Sequence, residues 1–347
     1  MPKIIFLNDI FDPKDSNELD LSQFEDADDR NEYHLKQMKN FYKAEDDSVK
    51  RLMGETAKFT FWSRYMGPYA VANSIIRDRP NWTVDVIDYF TKIPDFHEYI
   101  KNFITPDTEY IGISTTFLNH PMNKRIRHFN LWHDNHDQCL EWFRKLKEIA
   151  PHVKIIIGGA QMDHFYKLYF KKTNSYDHLP DVVREYVDYI FVGYAEESIL
   201  QLLDNTIPEE KIQIKENTTF VYESKVAGTG AVIHPTYWQR NWAISRREWL
   251  PIEISKGCRF SCKFCFYDTR GTIIKDPADL YDELMYNYKN FGTTGYHLTD
   301  DTVNDSPEKI DMMHDVIKRL PFDMEWIAYT RPDMFHKYPE MYDKMLD

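Results

Sequence analysis

The sequence predicts an α/β protein: a Rossmann-like, doubly wound parallel sheet over residues 1–205, a connector over 206–250, and a second, shorter series of βα units over 251–347. Three observations predict this. Short apolar, β-rich runs alternate with helical patterns through the first part, the signature of βα units and a parallel sheet. A stretch bearing tryptophans and a Gly-Thr-Gly turn then interrupts that rhythm. After it the alternation of strand and helix resumes, with a cysteine-rich loop directly behind its first strand.

In the first part the strands are Lys3–Leu7, Thr83–Asp88, Tyr110–Thr115, Val153–Ile157 and Tyr189–Val192. Between them lie helix patterns. Tyr69–Arg77 follows Gly67-Pro68, and a proline suits a helix's first turn. Phe96–Ile104 comes next, then Cys139–Ile149, whose Leu140, Phe143, Leu146 and Ile149 recur at three-residue spacing, and Glu197–Leu203 closes the set. A lone cysteine on such an amphipathic helix, Cys139, reads as a small buried hydrophobe.

Open parallel sheets bind ligands beyond the carboxyl ends of their strands. Three such ends are notable here: Ser114-Thr115-Thr116, Gly158-Gly159-Ala160 and Gly193-Tyr194-Ala195-Glu196-Glu197. Glycines at a strand end let backbone approach a ligand, and equally they make a tight turn; both readings stay open. An insertion, Leu118–Gln138, follows the Ser-Thr-Thr end. Its His120, His128, His133 and His136 are irregularly spaced in polar surroundings, the pattern of a solvated loop rather than a metal site.

The connector contains a hairpin pattern at Asn217–Val226 and a Gly228-Thr229-Gly230 turn, with Trp238, Trp242 and Trp249 as apolar bulk to pack the two parts together. Leu250–Ser255 is then a strand leading into the cysteine loop. Asp276 caps a helix with Pro277 in its first turn and Asp279 as a first-turn acid, and Gly292 stops it after about Asn290. Gly295–Thr299 is the second strand and ends in Asp300-Asp301. Ser306-Pro307 opens a helix to about Leu320. Met324–Tyr329 is the third strand, ending in Thr330-Arg331, and Pro339–Leu346 begins a third helix.

Three of the four cysteines, Cys258, Cys262 and Cys265, fall in ISKGCRFSCKFCF (Ile254–Phe266) with the spacing C-x3-C-x2-C. Thiolate sets of this kind hold iron–sulfur clusters. Three ligands leave one iron of a 4Fe-4S cluster open to a substrate or cofactor. A structural zinc site takes four ligands, usually as two close pairs. Here the remaining Cys139 lies far upstream, and no paired-histidine motif follows Cys265. A disulfide framework requires an oxidising compartment and more cysteines in a smaller chain.

This spacing, with the aromatic Phe264 immediately before the last cysteine, closely resembles the cluster motif of the radical S-adenosylmethionine (radical SAM) superfamily. The resemblance implies that Cys258, Cys262 and Cys265 ligate a 4Fe-4S cluster and that its free iron chelates the amino and carboxylate groups of S-adenosyl-L-methionine (SAM). One electron then cleaves the sulfonium to a 5′-deoxyadenosyl radical. It further implies that residues 251–347 form the N-terminal half of a partial (incomplete) radical SAM (β/α) barrel, with Gly257 at the tight turn into the loop and Phe264 beneath the adenine. The run YHLTDD resembles the family's strand-end segment beside the SAM amino group, where a carboxylate makes a charge-assisted hydrogen bond. Asp300 and Asp301 are the candidates for that contact, with a turn acid as the other reading. Arg331, at the next strand end, faces either the SAM carboxylate or another anion, or forms a structural salt bridge.

Over residues 60–205, the segments MGPYAVANSIIRD, TVDVIDYF, YIGISTT, VKIIIGGAQ and DYIFVGYAEESILQLL are similar in order and spacing to the cobalamin-binding domain of one large radical SAM class. That resemblance implies a corrinoid across the strand ends, near Ser114, Thr115, Gly158, Gly159 and Gly193. There is no DxHxxG signature, so no histidine is offered as a lower cobalt ligand. Methylthiotransferases of the superfamily carry three cysteines in their N-terminal domain, and the single Cys139 here excludes that class.

At 347 residues, with 42% hydrophobic and 15% aromatic residues, the chain has room for two substantial cores. It contains no apolar run of membrane-spanning length, and its N-terminus is neither a signal nor a transit peptide. An oxygen-sensitive cluster and few cysteines fit a reducing cytoplasm. A net charge of −13 disfavours a nucleic-acid footprint. Three functional readings stand together: a cobalamin-dependent radical SAM methyltransferase, a radical SAM enzyme without cobalamin, and a non-catalytic cluster-binding half-protein. The expected partners are a reductant protein such as flavodoxin or ferredoxin and a second chain that completes the barrel.

Overall fold

The computed structural model describes residues 1–8, 64–88, 90, 95–115, 136–166, 170–173, 181–223, 232–242, 244, 249–263 and 271–346. The chain divides into two compact units, one comprising Met1–Ala44 and Gly67–Glu223, the other Glu45–Met66 and Ser224–Asp347.

The first unit is built on seven strands: β1 (Lys3–Leu7), β2 (Thr83–Ile87), β3 (Thr108–Ser114), β4 (Lys154–Gly158), β5 (Tyr189–Val192), β6 (Ile212–Lys215) and β7 (Thr218–Tyr222). They form one mostly parallel sheet in the order β2-β1-β3-β4-β5-β7-β6. The central strands are apolar on both faces, as strands covered on both sides must be. Ile4, Ile5, Leu7, Ile157 and Ile190 are wholly buried. In the register of β1 with β3, Phe6 lies beside Gly112. A Cβ there would come within 2.6 Å of the Phe6 ring, so the glycine makes room for an aromatic neighbour.

Helices α1 (Met66–Asp78), α2 (Phe96–Ile100), α3 (His136–Ile149), α4 (Ala160–Phe165), α5 (Asp181–Tyr186) and α6 (Glu196–Leu203) connect these strands. Pro68 stands in the first turn of α1. The next residue, Tyr69, is fully buried, and its hydroxyl donates to Asp88 Oδ2 at 2.6 Å, tying the helix to the end of β2. Phe90, Phe96 and Trp142 form an aromatic cluster beneath α2 and α3. The pattern expected over Phe96–Ile104 ends as helix at Ile100.

One expected element changes place. The hairpin assigned to the connector is β6–β7, and it belongs to the sheet: β7 pairs parallel with β5 and antiparallel with β6. The chain reverses through Glu216, at φ 52°. Alternation identifies a strand but not its partner. The burial of Phe220 and Val221, both fully covered, is what draws this ladder into the first core. Gly228–Gly230 lie outside the described residues.

In the second unit, β8 (Leu250–Ile252), β11 (Gly295–Leu298) and β12 (Glu325–Ile327) form a parallel sheet in the order β12-β11-β8. The strand expected over Leu250–Ser255 is split. Its last residue joins β9 (Ser255–Lys256), which pairs antiparallel with β10 (Ile273–Ile274). Helices α7 (Pro277–Phe291), α8 (Pro307–Ile317), α9 (Pro332–Lys337) and α10 (Pro339–Leu346) complete the unit. The Asp276 side chain accepts from the Ala278 amide at 2.8 Å, and Gly292 turns left-handed (φ 68°) at the other end of α7. Ser306 caps α8 by accepting from the Lys309 amide.

Trp238 and Trp242 are buried within this second unit, edge to face at 6.4 Å. The Trp249 ring lies where a side chain on Gly295 would stand, which explains that glycine. Lys275 and Glu283 form a fully buried ion pair at 2.5 Å. Among the described residues, no helix is long and apolar enough to cross a membrane.

Candidate metal centre

Parallel βα units present their functional loops beyond the carboxyl ends of the strands, while their helices cover the sheet faces. The cysteine loop occupies that position. The chain leaves β8 at Ile252, runs through β9, and turns at Gly257 with φ 83°. This is a conformation glycine adopts without strain. The loop returns through β10, and the Lys275 amide extends the ladder by donating to the Ile254 carbonyl at 2.8 Å. The two-residue β9–β10 clasp therefore closes the base of the loop.

Two of the three candidate thiols are described, and both are free and half-buried. Cys258 Sγ lies 3.7 Å from the hydroxyl of Thr302, which follows β11 and donates to the Asp301 carbonyl at 2.7 Å. Cys262 Sγ accepts from Arg331 Nη1 at 2.9 Å, just beyond β12. Each thiol thus rests on the loop that follows a different neighbouring strand. Cys265 and Phe264 lie outside the described residues. Among the described residues, no three His, Cys, Asp or Glu side chains converge to hold a metal. The donor chemistry fits an iron–sulfur cluster: soft thiols free of disulfide bonding, half-shielded from water, on one closed loop.

A buried polar hub underlies this loop. Lys309 is fully buried on α8. Its ammonium reaches the Ser255 hydroxyl at 2.8 Å, the Thr302 carbonyl at 2.7 Å and the Asp305 carboxylate at 2.8 Å, with Asp300 at 3.7 Å. Asp300 in turn accepts from the Ile254 amide at 3.0 Å and from the Ser255 hydroxyl. Asp305 accepts from Thr272 at 2.7 Å, at the far end of the loop. Both ends of the cysteine loop and the residue touching Cys258 are therefore held by one charge cluster. Burial pushes the Asp300 carboxyl above its ordinary range, while the Lys309 ammonium pulls it down.

This geometry redistributes the candidate roles. Asp300, expected either beside a ligand's ammonium or as a turn acid, faces inward at 2% exposure and accepts from the protein's own backbone and side chains. Its neighbour Asp301 is the half-buried one of the pair. Arg331 meets its anions within the protein. Nε and Nη2 donate to the two oxygens of Asp333 at 3.0 and 2.8 Å, and Nη1 donates to Cys262. The hydrogen bonds to Asp333, and then the contact with Cys262, raise the guanidinium pKa further. Phe260, on the cysteine loop, stacks under it at 3.9 Å.

Sequence reading missed Lys309, Asp305, Thr302, Ser255, Asn304 and Phe260. One signal was present for Lys309: it shares the buried stripe of α8 with Ile310, Met313 and Val316, where a lysine demands an anionic partner.

In the first unit, Ser114, Thr115 and Gly158 meet at the adjacent ends of β3 and β4. Thr115 is fully buried, and both its amide and its hydroxyl donate to the Gly158 carbonyl, at 2.8 and 2.7 Å. Gly159 (φ 99°) starts α4. Gly193 (φ 104°) donates its amide to Asp163 at 2.8 Å, and a Cβ on it would strike the Glu223 carbonyl. The polar groups of Thr115 and Gly193 thus bind the sheet end to itself, and Gly193 faces protein backbone. Thr116 and the histidines His120, His128 and His133 lie outside the described residues, as do the side chains of His136 and Cys139.

No family model matches the chain, and no curated protein matches it in sequence.

Proposed function

We propose that this chain is a radical SAM iron–sulfur protein. The observation that carries the reading is the C-x3-C-x2-C spacing on a loop clasped at its base, with Cys258 beside Thr302 after β11 and Cys262 beside Arg331 after β12. Cys258 and Cys262, together with Cys265, are the residues that would hold the cluster. A 4Fe-4S cluster held there would supply the single electron for reductive cleavage of the C5′–S bond of SAM to methionine and a 5′-deoxyadenosyl radical. The chain's own contribution is to anchor both ends of the cysteine loop through the Lys309 hub and to shield Cys258 and Cys262 partly from water. Asp301, half-buried at the same strand end as Asp300, is the second candidate for the contact with the SAM amino group.

The sheet β12-β11-β8 has no further strand paired to either edge among the described residues. Unpaired strand edges invite additional strands. This is consistent with a barrel that takes up further strands, including those of a partner chain, with a flavodoxin- or ferredoxin-like protein as electron donor.

Anaerobic reconstitution with iron and sulfide, followed by dithionite and SAM, tests the reading. The expected result is a brown protein with about four irons per chain that releases 5′-deoxyadenosine and methionine. Bound zinc in place of iron, or a cluster that never cleaves SAM with or without a completing chain, would overturn it. The absorption spectrum of the same preparation, with cobalamin added, decides whether a corrinoid accompanies the cluster.

A further inference from the structure

We infer that Arg331 is a positioning residue that sets the reduction potential of the metal centre through its N–H···S hydrogen bond to Cys262. The inference rests on the proposed function and deepens it, since it concerns regulation of the same site.

The guanidinium is planar and permanently cationic, with its donors in a rigid fork. Here each edge of the fork has a separate task. Asp333 takes Nε and Nη2 as a bidentate pair, at 3.0 and 2.8 Å, which fixes the plane and leaves Nη1 directed at Cys262 Sγ at 2.9 Å. Phe260, midway between Cys258 and Cys262 in the chain, covers one face of the guanidinium at 3.9 Å from the ring centroid. The backbone is pinned as well. Asn304 is fully buried, donates to the Arg331 carbonyl at 2.9 Å and accepts from the Arg331 amide at 2.8 Å. A residue whose amide, carbonyl and guanidinium are all held is directed at that sulfur by design of the fold.

One-electron reduction adds a negative charge to a centre already carrying anionic thiolates. A cationic donor on one of those sulfurs stabilises the reduced form more than the oxidised form and so raises the potential. Asp333 offsets the charge only in part, because its carboxylate is 60% exposed and screened by water. The chain's own arginine thereby makes the centre easier to reduce by a low-potential protein donor.

The test is a redox titration with dithionite, read by the loss of visible absorbance and by electron paramagnetic resonance, on reconstituted wild-type, Arg331→Lys and Arg331→Met proteins. Arg331→Met is expected to load iron normally and to lower the reduced-to-oxidised ratio at a given potential by about tenfold, a shift of about 59 mV to more negative values for a one-electron couple. Arg331→Lys keeps the charge but not the fork and is expected to fall between the two. An unchanged or more positive potential in Arg331→Met overturns the inference alone. So does failure of a normally folded Arg331→Met protein to hold the cluster, because that would make Arg331 a loading residue rather than a tuning one. A wild-type chain that takes up no cluster overturns the proposed function, and this inference with it.

Discussion

Lys309, in the first turn of α8, and Asp305, just before its N-cap, face each other at 2.8 Å with neither side chain exposed. Through this pair and Asp300, the beginning and the end of the cysteine loop are fastened to one buried point. Charges so far from water persist only when they are paired and hydrogen-bonded on most sides. That condition is met here by Ser255, Thr302 and Thr272.

Lys309→Met removes the cation and leaves Asp300 and Asp305 buried without it. Breaking one partner of a buried pair costs about 3–5 kcal/mol. Denaturant unfolding of the apoprotein is expected to show a loss of that order. Adding Asp305→Asn to Lys309→Met relieves one stranded charge and should recover part of it. A midpoint unchanged by Lys309→Met would show that the hub is not a structural requirement.

Asn304→Ala strips both side-chain bonds from the Arg331 backbone. Leaving buried polar groups unmet costs about 1–3 kcal/mol. Hydrogen exchange at the Arg331 amide should accelerate more than exchange in the first-unit sheet. Equal acceleration everywhere would contradict a local role.

Gly193→Ala forces a side chain into a left-handed conformation and against the Glu223 carbonyl. The conformation alone costs roughly 1–2 kcal/mol, with the overlap in addition. Thermal unfolding should fall by several degrees. A neutral outcome would mean that β7 yields at that point.

His97 is held below its ordinary pKa by burial first and by the Lys145 ammonium second, against the opposing pull of Glu141 and a bond to the Trp142 backbone. The unfolded chain therefore binds a proton here more readily than the folded one. Stability is fully present above the model-peptide value of about 6.5 and declines as pH falls below it, towards the lower folded pKa. His97→Gln should flatten the wild-type decline as pH falls below about 6.5. Parallel pH profiles would remove His97 as its source.

Cys258→Ser and Cys262→Ser should each abolish most of the brown chromophore after anaerobic reconstitution, whereas Cys139→Ser should retain it. Iron content per chain is the measurement. Full iron in either loop variant would exclude that residue as a ligand.

Much of the architecture was legible because its signals are local. Apolar runs with flanking helices specified β1 to β5. The Asp276-Pro277 and Ser306-Pro307 pairs marked the starts of α7 and α8, and Gly292 the stop of α7. The spacing of Cys258, Cys262 and Cys265 marked the loop on which the proposed function rests. What tertiary structure alone decided was partnership. Polarity alternation in Thr218–Tyr222 announces a strand, yet only packing joins it to β5. Asp300 reads as a strand-end acid until Lys309, on a helix further along the chain, is folded beneath it. Arg331 reads either as a ligand-facing cation or as a structural salt bridge, and only the fold supplies Asp333 and Cys262 as its neighbours. A sequence lists which groups carry charge and which carry sulfur. Which of them neutralise one another depends on distances of a few ångströms between residues far apart in the chain, and only the folded backbone sets those.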